Sequence, residues 1–426
     1  MNNFYLLDYL KKNKLASEEA LDFLKFELDQ RIYYYGDHFN YPKEKEAGGK
    51  IIFQRNCKFF LKNIYAFCVM LVTCKNNRKK IVLSNAYFSI NKKLQDIGMC
   101  VARPMHSPSF GELLVGNYRM FIDFLSLDKK IKHGNFNELL SKNFLKKLDL
   151  LIKNLSKYYK SIDVSALIVP NDISFYEQLN IKIFKNIGKP SFIFLHGLPG
   201  RYNIYDENQT DYLVVWGERI RQHYINIGFN PEKILVSGHP FYESLSSELL
   251  RNDFDNILIV TKSLNGSPHR DGVRLTDRGG LIVYLKQVEI TLTKLGVKKV
   301  RLRVHPSENI DWYFKFINKD FFVADKDGLA DSLKKATLVI GPTSSVFLEA
   351  IYYGVNYLVY EPVVNGVDIS GYPPVPPFDG SDPKVPVAQN ENDLERMLKE
   401  KVIVDKTIFN DYIDTPFNIN CIIERI

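Results

Sequence analysis

The stretch Thr337-Leu338-Val339-Ile340-Gly341-Pro342-Thr343-Ser344-Ser345-Val346-Phe347-Leu348-Glu349-Ala350 decides the fold. Its first four residues form a short apolar run closed by Gly-Pro, which predicts a strand over 337–340. Small hydroxyl residues follow, and a helix is expected from Val346 to Tyr353. Strand, hydroxyl turn and helix together make one unit of an α/β sheet. Thr343, Ser344 and Ser345 can cap the helix and leave main-chain N–H groups facing outward. Those groups, with the helix dipole, make a seat for phosphate. The same residues also serve as an ordinary Ser/Thr cap, and the turn by itself leaves both readings open.

Working outward, the same rhythm recurs. Strands are expected at Ile257–Thr261, Val300–Val304 and Tyr357–Tyr360, with helices over about 281–295 and Glu391–Lys401. An earlier series has strand-like runs at Ile51–Phe53, Ala66–Thr73, Ile81–Leu83, Val164–Val169, Ser191–Leu195 and Tyr212–Trp216, and Ile234-Leu235 runs into a loop. Residues 1–35 carry helical spacing, and Phe175–Asn186 reads as a helix. Over 136–160, Leu140, Phe144, Leu148, Leu151 and Leu155 recur at three- and four-residue steps, with lysines opposite. That lysine face suits an anionic membrane or polymer, and equally a solvated surface.

Two successive βα series divide near 240–255. We therefore expect an α/β protein with two Rossmann-like domains facing each other across a cleft. Residues 1–245 form the first, acceptor-binding domain, with added N-terminal helices. Residues 246–390 form the nucleotide-sugar domain, and 391–426 a C-terminal helix and tail placed to pack back on the first domain. In open α/β sheets, ligands sit beyond the carboxyl ends of the strands. Two such sheets would bring their strand-end loops around one cleft.

Composition agrees with this class. The chain has 426 residues, 45% hydrophobic and 25% charged, which suits two globular domains rather than a disordered or fibrous chain. A formal charge of +8 favours phosphate-bearing or anionic ligands without choosing among them. Cysteines at 57, 68, 74, 100 and 421 form no CxxC pair, so neither a zinc site nor a disulfide framework is expected. The opening residues lack the pattern of a signal peptide. The longest apolar run, Ala66–Val72, falls short of the ~20 residues that span a bilayer. A cytoplasmic protein, at most peripheral on the inner membrane, is expected.

Candidate site residues lie at strand ends. His305 and Pro306 follow one strand of the second series; His305 can donate a hydrogen bond to a phosphate oxygen and converge with the hydroxyl turn on one phosphate. Lys262 and Ser263 follow another strand, where a lysine can pair with phosphate. Glu349 and Glu361 are candidates for ribose hydroxyls or surface charges. In the first series, His196-Gly197-Leu198-Pro199-Gly200-Arg201 makes a tight loop. His196 suits a general base or a histidine tied to a neighbouring loop, and Gly197 and Arg201 suit acceptor or sugar contacts. Asp172 is a second candidate base, or nucleophile, and is also an ordinary turn residue after Pro170. Arg270, Asp271 and Arg274 occupy a long polar loop and suit sugar or acceptor contacts.

The sequence contains no GxxxxGK[ST] loop, no GxGxxG turn after a strand and no HExxH. Metal-independent transfer is expected, with main-chain N–H groups, His and Lys stabilising the departing phosphate.

The runs Asp211-Tyr-Leu-Val-Val-Trp-Gly-Glu218, Gly228 to Ile234 and Gly238-His239-Pro240 resemble bacterial surface-polysaccharide transferases of the GT-B fold. Arg303-Val304-His305-Pro306 resembles the His-Pro motif of bacterial sialyltransferases and capsule Kdo transferases, and Thr343-Ser344-Ser345 their serine motif. The resemblance spans roughly residues 165–362. It implies that His305, Pro306, Ser344 and Ser345 hold the CMP part of a CMP-sugar, and that an acidic residue of the first domain acts as base or nucleophile. Asp172 matches that role by its place at a strand end. The sialyltransferase Asp-Asp-Gly pattern is missing, which leaves donor sugar and stereochemistry open.

The implied activity is transfer of Kdo or a nonulosonic acid from a CMP-activated donor to a capsule or lipopolysaccharide glycan. The partners would be a nucleotide sugar and an oligosaccharide or glycolipid acceptor, with no cofactor beyond the donor and no nucleic acid. The His-Gly loop is also similar to CDP-polyol phosphotransferases, and UDP-sugar 2-epimerases share the architecture. A non-catalytic glycan- or nucleotide-binding assembly module is the alternative outside enzymes.

Overall fold

The computed structural model describes residues 11–12, 17–29, 57, 60–61, 64–65, 67–68, 80–86, 90–107, 113–114, 118–133, 136–172, 174–199, 208–242, 249–262, 279–306, 308–364, 367–368 and 374–426. The expected strand at Ile51–Phe53 lies outside them. In the run Ala66–Thr73, expected as a strand, the described residues Phe67 and Cys68 are helical. A short apolar run has no periodicity that separates strand from buried helix.

The first sheet is built from β1 (Ile81–Ser84), β2 (Cys100–Arg103), β3 (Leu113–Leu114), β4 (Val164–Val169), β5 (Ser191–Phe194), β6 (Tyr212–Val215) and β7 (Ile234–Val236). It is seven-stranded, in the order β3-β2-β1-β4-β5-β6-β7. Each pairing is parallel; Leu167, Ile168 and Val169 of β4 face Ser191, Phe192 and Ile193 of β5. Every residue of β4 is buried. A parallel strand with helices on both sheet faces has no solvent side, so its sequence runs apolar without alternation.

The helix Lys142–Ser161 buries Phe144, Leu148, Leu151 and Leu155 and leaves Lys146, Lys153, Lys157 and Lys160 exposed. The expected helix over 136–160 is broken ahead of it. Ser141 accepts a hydrogen bond from the Phe144 N–H and starts a new helix after the turn Phe136–Leu139.

The second sheet is built from β8 (Ile257–Val260), β9 (Val300–Arg303), β10 (Phe322–Ala324), β11 (Leu338–Gly341) and β12 (Asn356–Tyr360). After the small antiparallel pair β13 (Val363–Val364) and β14 (Val367–Asp368), β15 (Val387–Ala388) completes it. The order is β10-β9-β8-β11-β12-β15. Side chains alternate across it, as a pleated strand requires. Ile257, Ile259, Leu338 and Ile340 pack with Leu281, Leu285 and Val288 in one core. Leu258, Val260, Val339 and Val359 face the other way, into a core shared with Phe347, Phe409 and the first domain. Two parallel-sheet α/β domains, the GT-B architecture, are thus present.

In each sheet, with all strands parallel, the order in which strands are added reverses between two neighbours. The reversal lies between β1 and β4 in the first sheet and between β8 and β11 in the second. In open α/β sheets the ligand crevice lies outside the carboxyl ends at that point.

The chain end crosses back to the first sheet. The helix Ile408–Tyr412 packs on the helix Glu218–Asn226, and Asn420–Ile423 on β7. Asn418 N–H donates to the Ser237 carbonyl at 2.6 Å, and Glu218 N–H to Asp414 Oδ2 at 3.0 Å. Among the described residues no helix is long and apolar enough to cross a membrane.

Candidate functional site

The reversal point of the second sheet is braced from within. Lys262, just past β8, pairs with Glu361, just past β12, at 2.8 Å. Glu361 Oε1 also accepts the main-chain N–H of Thr343 in the turn after β11. The Glu361 side chain is 1% exposed, so this carboxylate lies beneath the turn and meets no ribose in this arrangement. Lys262 spends its charge on Glu361, where a phosphate contact was expected. A buried carboxylate must be matched by an opposite charge or hydrogen bonds, and Lys262 and Thr343 supply both.

The turn itself differs from the expected seat. The Thr343 N–H points inward to Glu361, and the Val346 N–H is taken by Ser344 Oγ at 3.2 Å. That leaves the main-chain N–H groups of Ser344 and Ser345 for a ligand. Ser345 opens the helix Val346–Tyr352 without a side-chain cap. Gly341 is required here: a Cβ at this position would lie 2.2 Å from both Tyr357 Oη and Val260 Cγ2. Tyr357 in turn donates to the Pro342 carbonyl at 2.6 Å and fixes the start of the turn.

His305 lies past β9, half-buried, with Pro306 exposed after it. Its N–H donates to Thr261 Oγ1 at 3.0 Å, and Thr261 donates to Glu308 Oε2 at 2.7 Å. Tyr313 holds the other oxygen of Glu308 at 2.7 Å. Glu308 therefore shapes the His-Pro turn; its place three residues after His305 was the available signal. Burial lowers the pKa of His305, which favours a neutral imidazole that donates through N–H. β8 separates β9 from β11, so His305 stands two strand spacings, roughly 10 Å, from the hydroxyl turn along the edge.

The first sheet presents its loop to the same place. Past β5, Gly197 lies where an added Cβ would be 3.8 Å from Ser345 Oγ. The His-Gly loop of one domain and the hydroxyl turn of the other are thus in contact range. His196 is exposed at the residue level, yet its ring is crowded: desolvation lowers its pKa, against a hydrogen bond to the Pro170 main chain. Asp172 is 0% exposed and accepts the Gln209 N–H at 2.7 Å. It anchors that loop instead of facing an acceptor.

Glu349, expected near ribose, is hydrogen-bonded by Tyr242, and burial raises its pKa. Tyr242 belongs to the stretch that leaves the first domain; it stacks on His239 at 4.2 Å and lies 4.6 Å from Tyr352. This pair joins the domains. Arg201, Ser263, Arg270, Asp271 and Arg274 lie outside the described residues.

No protein-family model matches this chain, and no curated protein does. Solved structures are distantly similar to it. A complex of Staphylococcus aureus TarM with fondaparinux, alpha-GlcNAc-glycerol and UDP is 11% identical at a TM-score of 0.39, covering 65% of this chain and 58% of that one. This chain thus spans less than two thirds of the TarM chain. UDP-N-acetylglucosamine 2-epimerase from Rickettsia bellii is 12% identical at a TM-score of 0.45, covering 79% of this chain and 94% of that one. The lipopolysaccharide outer core galactosyltransferase WaaB is 11% identical at a TM-score of 0.42, covering 82% of this chain and all of that one (100%).

Proposed function

We propose that this protein is a glycosyltransferase that takes a sugar from a nucleotide-activated donor, a CMP-sugar, to a glycan acceptor. One observation carries the reading: the Gly197 loop after β5 lies against Ser345 after β11, so the ligand edges of both sheets open on one junction. A two-substrate transfer needs such a place, with the donor on one sheet and the acceptor on the other. The donor phosphate would rest between the neutral His305 and the Ser344 and Ser345 N–H groups. Preorganised donors there stabilise charge as the sugar–phosphate bond breaks. CMP follows from the likeness of His305-Pro306 and Ser344-Ser345 to the motifs described above. Kdo or a nonulosonic acid is the sugar class those motifs imply.

Isothermal titration with CMP, CDP and UDP, alongside turnover assays with CMP-Kdo, CMP-N-acetylneuraminic acid, CDP-glycerol and UDP-GlcNAc, tests this. CMP is expected to bind best, and His305→Ala to weaken it by about tenfold to a hundredfold, as loss of one hydrogen bond to a charged group does. Turnover of UDP-GlcNAc without an acceptor would replace the reading with an epimerase. Binding of CDP or UDP but not CMP would overturn the donor assignment.

A further inference from the structure

A polar cluster lies at the reversal point of the first sheet, between β1 and β4. Asn85 follows β1, His106 lies in the turn after β2, and Glu177 is in the first turn of the helix Phe175–Asn186 after β4. Asn85 Nδ2 donates to Glu177 Oε1 at 2.9 Å. His106 Nε2 is 3.4 Å from the same oxygen and 3.2 Å from Asn85 Nδ2. The side chains of His106 and Glu177 are each 9% exposed. The imidazole stacks on Tyr176, with centroids 4.9 Å apart and planes 11° from parallel, and Tyr176 donates to Asp128. The ring is therefore fixed on its face and on its Nε2 edge.

With Nε2–H turned to the carboxylate, the lone pair sits on Nδ1, and Asn85 Nδ2 and His106 Nε2 are two donors side by side on the one Glu177 oxygen. Nδ1 has no hydrogen-bond partner among the described residues and is not sealed from solvent. On the same strand end, Ser84 Oγ and Asn85 Oδ1 are enclosed, again without a partner among the described residues. Enclosed polar atoms rarely go unpaired. A purely structural ion pair requires neither these two atoms nor an accessible ring nitrogen. An acceptor sugar, with its many hydroxyls, supplies what they lack. The edge is also the one that carries His196 and Gly197, since β5 is the neighbour of β4.

We propose that His106 is the base for the acceptor hydroxyl, with Glu177 and Asn85 as its positioning residues, and that the edge at Ser84 and Asn85 seats the acceptor sugar. This rests on the transferase reading above. The acceptor oxygen bonds to the anomeric carbon as that carbon's bond to the phosphate oxygen breaks. The electron pair leaves on the nucleotide phosphate, and the acceptor proton passes to His106 Nδ1. Glu177 offsets the imidazolium charge, in the manner of a carboxylate behind a catalytic histidine. Burial works to raise the Glu177 pKa, but its hydrogen bonds to His106 and Asn85 outweigh it and keep the carboxylate ionised. Among the described residues, Arg103, Tyr176 and Asp128 are further titratable groups beside this turn.

Two measurements test it. In the first, His106→Gln and Glu177→Gln are assayed with whichever donor of the panel turns over, after thermal melts show that both fold. His106→Gln is expected to lower kcat by about a hundredfold or more with donor KM unchanged. Glu177→Gln is expected to move the acidic limb of the pH–rate profile while retaining part of the rate. A His106→Gln rate within twofold of the parent would overturn the proposal. In the second, ring nitrogen NMR shifts of the unliganded protein are read, which needs no turnover. The Nε2–H tautomer is expected; Nδ1–H would overturn the assignment. If no donor reacts, the transferase reading fails by itself, and the tautomer still decides whether His106 is poised as a base.

Discussion

At the residue scale, single atoms decide positions that composition cannot rank. Gly341 is one. Tyr357 Oη and Val260 Cγ2 occupy the space its Cβ would need. Gly341→Ala is expected to destabilise by about 1–3 kcal/mol through overpacking, checked by denaturant midpoints. His239 is another. It is 2% exposed, accepts the Phe241 N–H at Nδ1, and burial pushes its pKa down to about 3. The unfolded chain takes up this proton near the usual histidine pKa of ~6.5, and the folded protein only near 3. Its contribution to stability is complete above the unfolded pKa and is lost progressively as pH falls toward the folded one. His239→Asn keeps an acceptor without the titration. Between pH 6 and 4 the parent should lose stability faster than this variant, by up to about 1.4 kcal/mol per pH unit, read from urea melts at each pH. His305 and the hydroxyl turn were legible because they sit at strand ends. Glu308 was not singled out, since only the folded turn brings its carboxylate to Thr261. His106, Asn85 and Glu177 are separated in sequence and meet only across adjacent strands.

At the element scale, apolar runs ending in Gly, Pro or polar residues located β4, β5, β6, β8, β9, β11 and β12 to within a residue or so, and Phe175–Asn186 as a helix. The sequence reading did not separate β2 (Cys100–Arg103) or β10 (Phe322–Ala324), whose few residues are too short for a period to emerge. The course of the tail depends on close backbone approach. A Cβ on Gly217 would lie 2.5 Å from the Tyr412 carbonyl oxygen, and one on Gly238 2.4 Å from that of Thr415. Gly238 also has a positive φ of 74°. Gly217→Ala is expected to displace the tail while leaving both sheets intact. Limited proteolysis should then cut within about 400–426 several times faster than in the parent, and an unchanged rate would refute this account of the docking.

At the scale of the whole molecule, Arg219 joins three parts of the chain. From the helix Glu218–Asn226 it reaches Asp382 of the second domain at 2.6 Å and Asp411 of the tail at 3.3 Å, and lies 4.7 Å over the Tyr412 ring. Lys384 completes the group with a 2.7 Å bond to Asp411. The Arg219 side chain is 34% exposed, so solvent screens the pairs, and about 1 kcal/mol is a reasonable share for the network. Arg219→Ala should lower the unfolding temperature by about 2–4 °C in calorimetry, with a smaller difference at 1 M salt. Equal shifts at both salt levels would assign the effect to the Tyr412 contact instead.

The sequence by itself determined that two βα series exist, that their polar residues gather at strand ends, and that the chain is α/β. Those properties are local: apolar runs, turn residues and caps act over a few positions. Tertiary structure alone decided which polar groups are spent inside. It set Lys262 on Glu361, sealed Asp172 beneath a loop, and laid Gly197 against Ser345. Burial and pairing follow from which strands become neighbours, and strand order is a long-range choice that no local stretch of sequence carries.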